Sequence, residues 1–340
     1  MKQYRYERPF TLENGKVLNE LNIAYHTYGE MNELQTNVVW ICHHLTANSD
    51  ALLWWNGMVG PGALFDPSKY FIVCANILGS CYGTTGPHSL DPSTGKPYYS
   101  TFPNITIRDM VNTHVVLRKH LGIQNIGMLV GGSMGGYQAL EWAVMEPDKI
   151  NNLVLLSTSA AESAWGIAVH TAQRMAIEAD CTWKDKSPMA GRNGLKAARA
   201  IGLISYRNHG ILVKKQTDAD IQKTDFFKAS SYMEYQGEKL ASRFNAHSYW
   251  TLTKAMDTHQ LARGRNASAG DILGNINQRT LVFGIHSDIL CPVSEQAFLA
   301  NHIPDSHLIA IDSAYGHDGF MVEAGVISQH LREWGVGSGE

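Results

Sequence analysis

Gly131-Gly132-Ser133-Met134-Gly135-Gly136 constrains this chain more than any other stretch. An apolar run, Ile126 to Val130, leads into it, and a helix-forming segment, Tyr137 to Met145, leads out. A serine flanked by glycine two positions away on each side marks a strand-to-helix turn so sharp that neighbouring side chains have no room. Such a turn lifts the serine hydroxyl above the end of a sheet and aims the N-terminus of the new helix at it. Taken alone, the pattern also describes an ordinary glycine-rich turn. The strand before it and the helix after it favour Ser133 as a nucleophile.

A serine nucleophile needs a base and an acid that orients the base. Thr280 to Ile285 reads as a buried strand and runs into His286-Ser287-Asp288. His307 to Ile311 reads as the next strand, followed by a glycine-flanked loop carrying His317. Asp288 and His317 thus both fall just past the C-terminal edge of a strand, where chemistry collects in open α/β sheets. Singly, Asp288 also reads as a loop or turn aspartate and His317 as a surface histidine among 15. Together they supply the order Ser, Asp, His that the α/β-hydrolase fold uses. His317 is then the general base and acid, and Asp288 fixes its tautomer and stabilises the imidazolium.

Other runs, Val38 to Cys42, Phe71 to Ala75 and Leu153 to Leu156, are continuous rather than alternating. Strands buried on both faces have that character, so the fold is expected to be α/β with a mostly parallel central sheet. Thr106-Ile-Arg-Asp109 has the form of a capping box opening an amphipathic helix, with His114 a packed histidine on its inner face. Between Ser159 and Gly274 strand-like runs vanish and helix formers dominate, as in Gly194 to Tyr206. The expected organisation is a core domain from 1–158 and 275–340, interrupted by an inserted helical lid domain, 159–274, that excludes water from the serine.

A net charge of −3 leaves no basic footprint for nucleic acid, and no apolar run reaches the length of a membrane span. The five cysteines lack disulfide-framework spacing, and the N-terminus is polar without a signal-like apolar region; both point to the cytoplasm. His43 and His44 are adjacent and ill placed to chelate one ion, and no metal-ligand spacing occurs elsewhere, so no metal is expected. Gly79, Gly83, Gly86 and Gly95, among Pro87 and Pro92, do not form a dinucleotide fingerprint.

Beyond the triad, the chain resembles the homoserine O-acetyltransferase family, α/β-hydrolase-fold enzymes of methionine biosynthesis. The resemblance runs over nearly the whole length. It rests on Tyr25-His-Thr-Tyr-Gly29, Cys42-His-His-Leu-Thr46, Trp54-Trp55, Gly57 to Gly62 and Ala75 to Pro87. It rests equally on Gly131 to Gln138, Ala172 to Ile177, Tyr235 to Lys239, Thr253 to Asp257 and Tyr315 to Asp318. One departure is Ala47-Asn48-Ser49-Asp50 after Leu45-Thr46, where the family often has a glycine.

The resemblance implies ping-pong transfer of an acetyl group from acetyl-coenzyme A, through an acyl-serine at Ser133, to the γ-hydroxyl of L-homoserine. Backbone N–H groups of Met134 and Leu45 would hold the oxyanions. Arg199 would bind the substrate carboxylate, Asp318 its ammonium, and Tyr206 would line the same site. Acetyl-coenzyme A would be a co-substrate, with no tightly bound cofactor, and the lids would pair in a homodimer. Three alternatives stay open from sequence: homoserine O-succinyl transfer, serine O-acyl transfer, and a plain serine hydrolase.

Overall fold

A computed structural model describes residues 1–336; 337–340, expected to end the core segment, lie outside the described residues. Eight strands form the main sheet: β1 (Lys2–Tyr6), β2 (Leu21–Tyr28), β3 (Val38–Cys42), β4 (Phe71–Ala75), β5 (Ile126–Gly132), β6 (Ile150–Leu156), β7 (Arg279–Ile285) and β8 (Ser306–Ile311). Their order is β1-β2-β4-β3-β5-β6-β7-β8. β1 pairs antiparallel with β2 and β2 antiparallel with β4; every later pairing is parallel.

The helices of eight or more residues, with one shorter helix, are α1 (Ile107–His120), α2 (Met134–Met145), α3 (Ala164–Glu178), α4 (Arg192–Tyr206), α5 (His209–Gln216), α6 (Lys228–Ala241), α7 (Ala246–Met256), α8 (Ala269–Leu273), α9 (Val293–His302) and α10 (Ala324–Glu333). α1 opens on the expected capping box, with Thr106 and Asp109 bonding each other's backbone. α3 to α8 all lie between β6 and β7, the stretch expected to be helical.

The continuous apolar strands are continuous because helices cover both sheet faces. Val38 and Trp40 of β3 join one buried cluster with Met110 of α1 and Leu140 of α2. Val39 and Ile41, pointing the other way, join a second cluster with Phe65, Ile327 and Leu331. Trp40 sits edge-on to Trp142 at 4.9 Å and to His114 at 5.9 Å. His114 is fully buried and bonds the Gln138 side chain at 2.9 Å, a packed histidine as expected.

β1 differs from the sequence expectation, which took the N-terminus only as polar. Lys2 to Tyr6 is an edge strand with three exposed side chains, held by backbone pairing to β2 and by half-buried Tyr4 and Tyr6, which pack against the core. Among the described residues, no helix is long and apolar enough to cross a membrane, no group of three or more His, Cys, Asp or Glu could hold a metal, and all five cysteines are free.

Candidate active site

The turn after β5 has the geometry the sequence demands. Ser133 sits at φ 55°, ψ −127°, a backbone region that costs a non-glycine residue about 1–3 kcal/mol. Its N–H donates to Leu156 O at 2.9 Å, and Thr158 Oγ1 donates to Ser133 O at 3.0 Å, so β6 and its loop hold the strained residue. A Cβ on Gly131 would stand 2.2 Å from Gly135 O, and one on Gly135 only 2.1 Å from Cys42 O. The two glycines are therefore required by contact: one lets the turn close, the other lets α2 approach the end of β3.

His317 Nε2 lies 2.8 Å from Ser133 Oγ, and His317 Nδ1 lies 2.7 Å from Asp288 Oδ2. A carboxylate only accepts, so Nδ1 carries the proton donated to Asp288 and Nε2 presents its lone pair to the serine hydroxyl. Asp288 Oδ1 accepts from the N–H groups of Leu290 and Cys291, at 2.8 and 2.9 Å, which fixes its orientation. Burial pulls the His317 pKa down. The adjoining Asp288 carboxylate, with Asp318 and Glu162 behind it, pushes it up, and the net direction is upward. The histidine turn is pressed against the end of α4: a Cβ on Gly316 would meet Tyr206 O at 2.6 Å. Gly316 is thus what lets the inserted helices touch the loop that carries His317.

The loop after β3 runs beside Ser133. His43 Nδ1 donates to His44 O at 2.8 Å, and His43 Nε2 accepts from the Ile77 N–H at 3.3 Å. Gln138 of α2 donates to His43 O at 3.2 Å, and Asn76 accepts from Ser49 N at 2.7 Å. The loop is therefore braced from α2 and from the chain after β4. The backbone N–H groups of Leu45 and Met134 make no hydrogen bond within the described residues. Two unengaged donors beside a half-buried serine have the composition of an oxyanion hole.

Ser133 and His317 open onto a cavity of about 600 Å³. Arg199, Tyr206, Asp318 and Leu45 line it too, so every side chain expected to meet substrate converges there. The Arg199 guanidinium has no ion pair among the described residues and stands 5.7 Å from the centre of the Tyr206 ring. The Tyr206 ring lies 6.0 Å from that of His317. Asp318 departs in one respect: it is already paired with Arg207 at 3.2 Å.

The cavity also holds Trp54, which with Trp55 reads from sequence as either entrance lining or core, and five residues without a role in the site assigned from sequence: His44, His170, Arg207, Lys239 and Arg243; Trp55 is buried in the core. Burial, then the nearby His43, His317, Arg199 and Arg243, pushes the His44 pKa down to about 3, so its ring is neutral. His170 bonds Asp257 at 3.0 Å, and Asp257 pairs with Arg174 at 2.6 Å. Two stretches noted in sequence, 172–177 and 253–257, are thereby joined beneath the cavity. Position along the chain carries no trace of that pairing, which is made between α3 and the end of α7. Arg207, Lys239 and Arg243 were legible as basic residues but not as neighbours of Ser133.

A family model for the alpha/beta hydrolase fold matches residues 37–324. The homoserine O-acetyltransferase of Cyclobacterium marinum is 45% identical over 317 residues, covering 93% of this chain and 90% of that protein. The crystal structure of homoserine O-acetyltransferase from Bacillus anthracis superposes with a TM-score of 0.89 at 23% identity, covering 98% of this chain and 96% of that one. The crystal structure of esterase E22 is nearly as similar, with a TM-score of 0.87 at 22% identity over 98% of this chain and 99% of that one. Likeness at such identity speaks for the fold alone. The sequence likeness goes further: the chain belongs to the homoserine O-acetyltransferase family, on an α/β-hydrolase fold.

Proposed function

We propose that the protein is a homoserine O-acetyltransferase that works through an acetyl-serine. The observation that carries this is the placing of an unpaired guanidinium, Arg199, in the same cavity as the Ser133–His317–Asp288 chain of hydrogen bonds. A plain esterase has no need of a free cation beside its nucleophile; an amino-acid acceptor brings a carboxylate that does. Identity of 45% to a homoserine O-acetyltransferase supports the same reading.

In the first half-reaction His317 Nε2 takes the Ser133 proton as Oγ attacks the thioester carbonyl of acetyl-coenzyme A. The oxyanion is held by the Met134 and Leu45 N–H groups, a donor of this kind being worth about 2.7–4 kcal/mol. His317 returns the proton to the leaving sulfur. In the second, His317 takes the proton of the homoserine γ-hydroxyl, whose oxygen attacks the acetyl-serine carbonyl; Ser133 leaves and recovers the proton. Arg199 grips the acceptor carboxylate through its planar fork. Asp318, its charge shared with Arg207, faces the ammonium, and the Tyr206 ring closes the site beside His317.

In this reading residues 159–274 form the lid, which excludes the water that competes with homoserine. The lid also supports a homodimer. It carries ten of the nineteen exposed large hydrophobic side chains among the described residues, including Trp165, Met175, Ile204 and Phe226. Residence in a reducing cytoplasm is supported by the free cysteines.

The test is a matrix of donors, acetyl- and succinyl-coenzyme A, against acceptors, homoserine, serine and water. O-acetylhomoserine should dominate. O-succinylhomoserine or O-acetylserine as main product would change the donor or the acceptor assignment, and release of acetate alone would return the protein to the hydrolases.

A further inference from the structure

Four basic side chains, Arg199, Arg207, Lys239 and Arg243, line the cavity that holds Ser133, against a single carboxylate, Asp318. The excess is local, since the whole chain carries a net charge of −3. Arg207 is neutralised by Asp318, and Arg199 lies inward, over Tyr206. That leaves Lys239 and Arg243, four positions apart across the C-terminal end of α6, both exposed at the cavity's mouth.

Neither is spent on the protein. The Lys239 ammonium makes no ion pair or hydrogen bond among the described residues, and its acidic neighbour Glu238 is taken by Arg192 and Lys196. Arg243 is held in place through one nitrogen, Nη1, which donates to Thr46 O at 2.6 Å and to Tyr82 Oη at 2.7 Å. Its Nε and Nη2 have no such partner. Thr46 follows Leu45, so the same guanidinium that faces the mouth also ties down the loop beside Ser133. The same cavity is lined on its uncharged parts by Leu53, Trp54, Leu240 and Met321 together with polar groups such as Asn48 and Gln236.

We infer that Lys239 and Arg243 form the phosphate-binding rim for the acyl donor. The inference rests on the reading of that donor as an acyl-coenzyme A. Phosphates are too costly to bury, so they must stop at the mouth, where unpaired cations form charge-assisted hydrogen bonds with them. The uncharged pantetheine arm then runs along the mixed apolar and polar lining, which holds no unpaired charge beyond Arg199, and delivers the thioester to Ser133. Lys239 and Arg243 bind the donor and leave the acceptor to Arg199.

The test is titration calorimetry with coenzyme A and with pantetheine, which lacks the phosphates, on Ser133→Ala enzyme with and without Lys239→Glu. The charge reversal should weaken coenzyme A by ~10-fold or more and leave pantetheine unmoved; Lys239→Arg should restore coenzyme A. Added salt should weaken coenzyme A alone. A lysine in the last turn of a helix also complements its dipole; that role would lower the melting temperature and leave the two ligands' affinities in their original ratio. Equal loss of both ligands, or loss of neither, overturns the inference. In the active enzyme, homoserine acetylation with a coenzyme A affinity indifferent to Lys239 would sink the rim and spare the proposed reaction. Lys239-dependent coenzyme A binding without homoserine acetylation would do the reverse.

Discussion

Two side chains decide whether the site works as proposed, and each has a distinguishing readout. His317 must be neutral to accept a proton, and its pKa is raised in the fold, chiefly by Asp288 working against burial. Protonation therefore begins above the ordinary value of ~6.5, and kcat/KM should fall through a single ionisation centred above it as pH drops. An acid limb centred below that value would contradict the Asp288 contact. Asp288→Asn leaves Nδ1 facing an amide and should lower kcat by about 10⁴, with an unchanged melting temperature. Arg199 answers to a different experiment. Arg199→Ala should slow deacylation by homoserine while thiol release from acetyl-coenzyme A stays near wild type, and Arg199→Lys should restore it only in part. Equal damage to both half-reactions would make Arg199 a structural residue.

At the scale of elements, the elbow carries the tightest constraint. Gly135→Ala drives a methyl against Cys42 O, the residue that starts the loop containing Leu45. At least the ~1–3 kcal/mol of ordinary overpacking should be lost, visible in denaturant unfolding, and activity should fall further because the loop is displaced. Wild-type stability in this variant would mean that β3 and α2 can part freely. The elements themselves divide sharply by legibility. β3 to β7 were legible because each is an apolar run buried on both faces, β8 because its apolar run persists although it is a partly exposed edge strand, and the elbow because its glycines are enforced by backbone contact. Asp288 and His317 were legible because each follows such a strand. β1 was not, since its only inward side chains, half-buried Tyr4 and Tyr6, alternate with exposed polar residues over too short a run to stand out. Nor were His170, Arg207 or Arg243 as cavity residues. Their positions depend on how the inserted helices pack back over the sheet, and nothing local to those residues encodes that. The same applies to the Arg207–Asp318 pair, which joins the end of α4 to the histidine turn.

For the molecule as a whole, the loops of the sheet carry Ser133, His317 and Asp288, the nucleophile, base and acid of the proposed reaction, and the inserted helices supply the cations. Acyl transfer to an amino acid needs both, so the activity belongs to their junction. The apolar surface of 159–274 further predicts a second copy of the chain. Light scattering at micromolar concentration should return twice the 37.6 kDa chain mass, and a charge placed at Ile204 should return one chain mass. A wild-type monomer would contradict the pairing of lids. The central claim is covalent transfer through Ser133, and intact-protein mass spectrometry reads it directly. Mixing the enzyme with acetyl-coenzyme A should add one acetyl group, mapped to Ser133 and absent from Ser133→Ala. Adding homoserine should remove it and yield an equal amount of O-acetylhomoserine. An acetyl group on another residue, or homoserine acetylated at an undiminished rate by Ser133→Ala, would contradict the account.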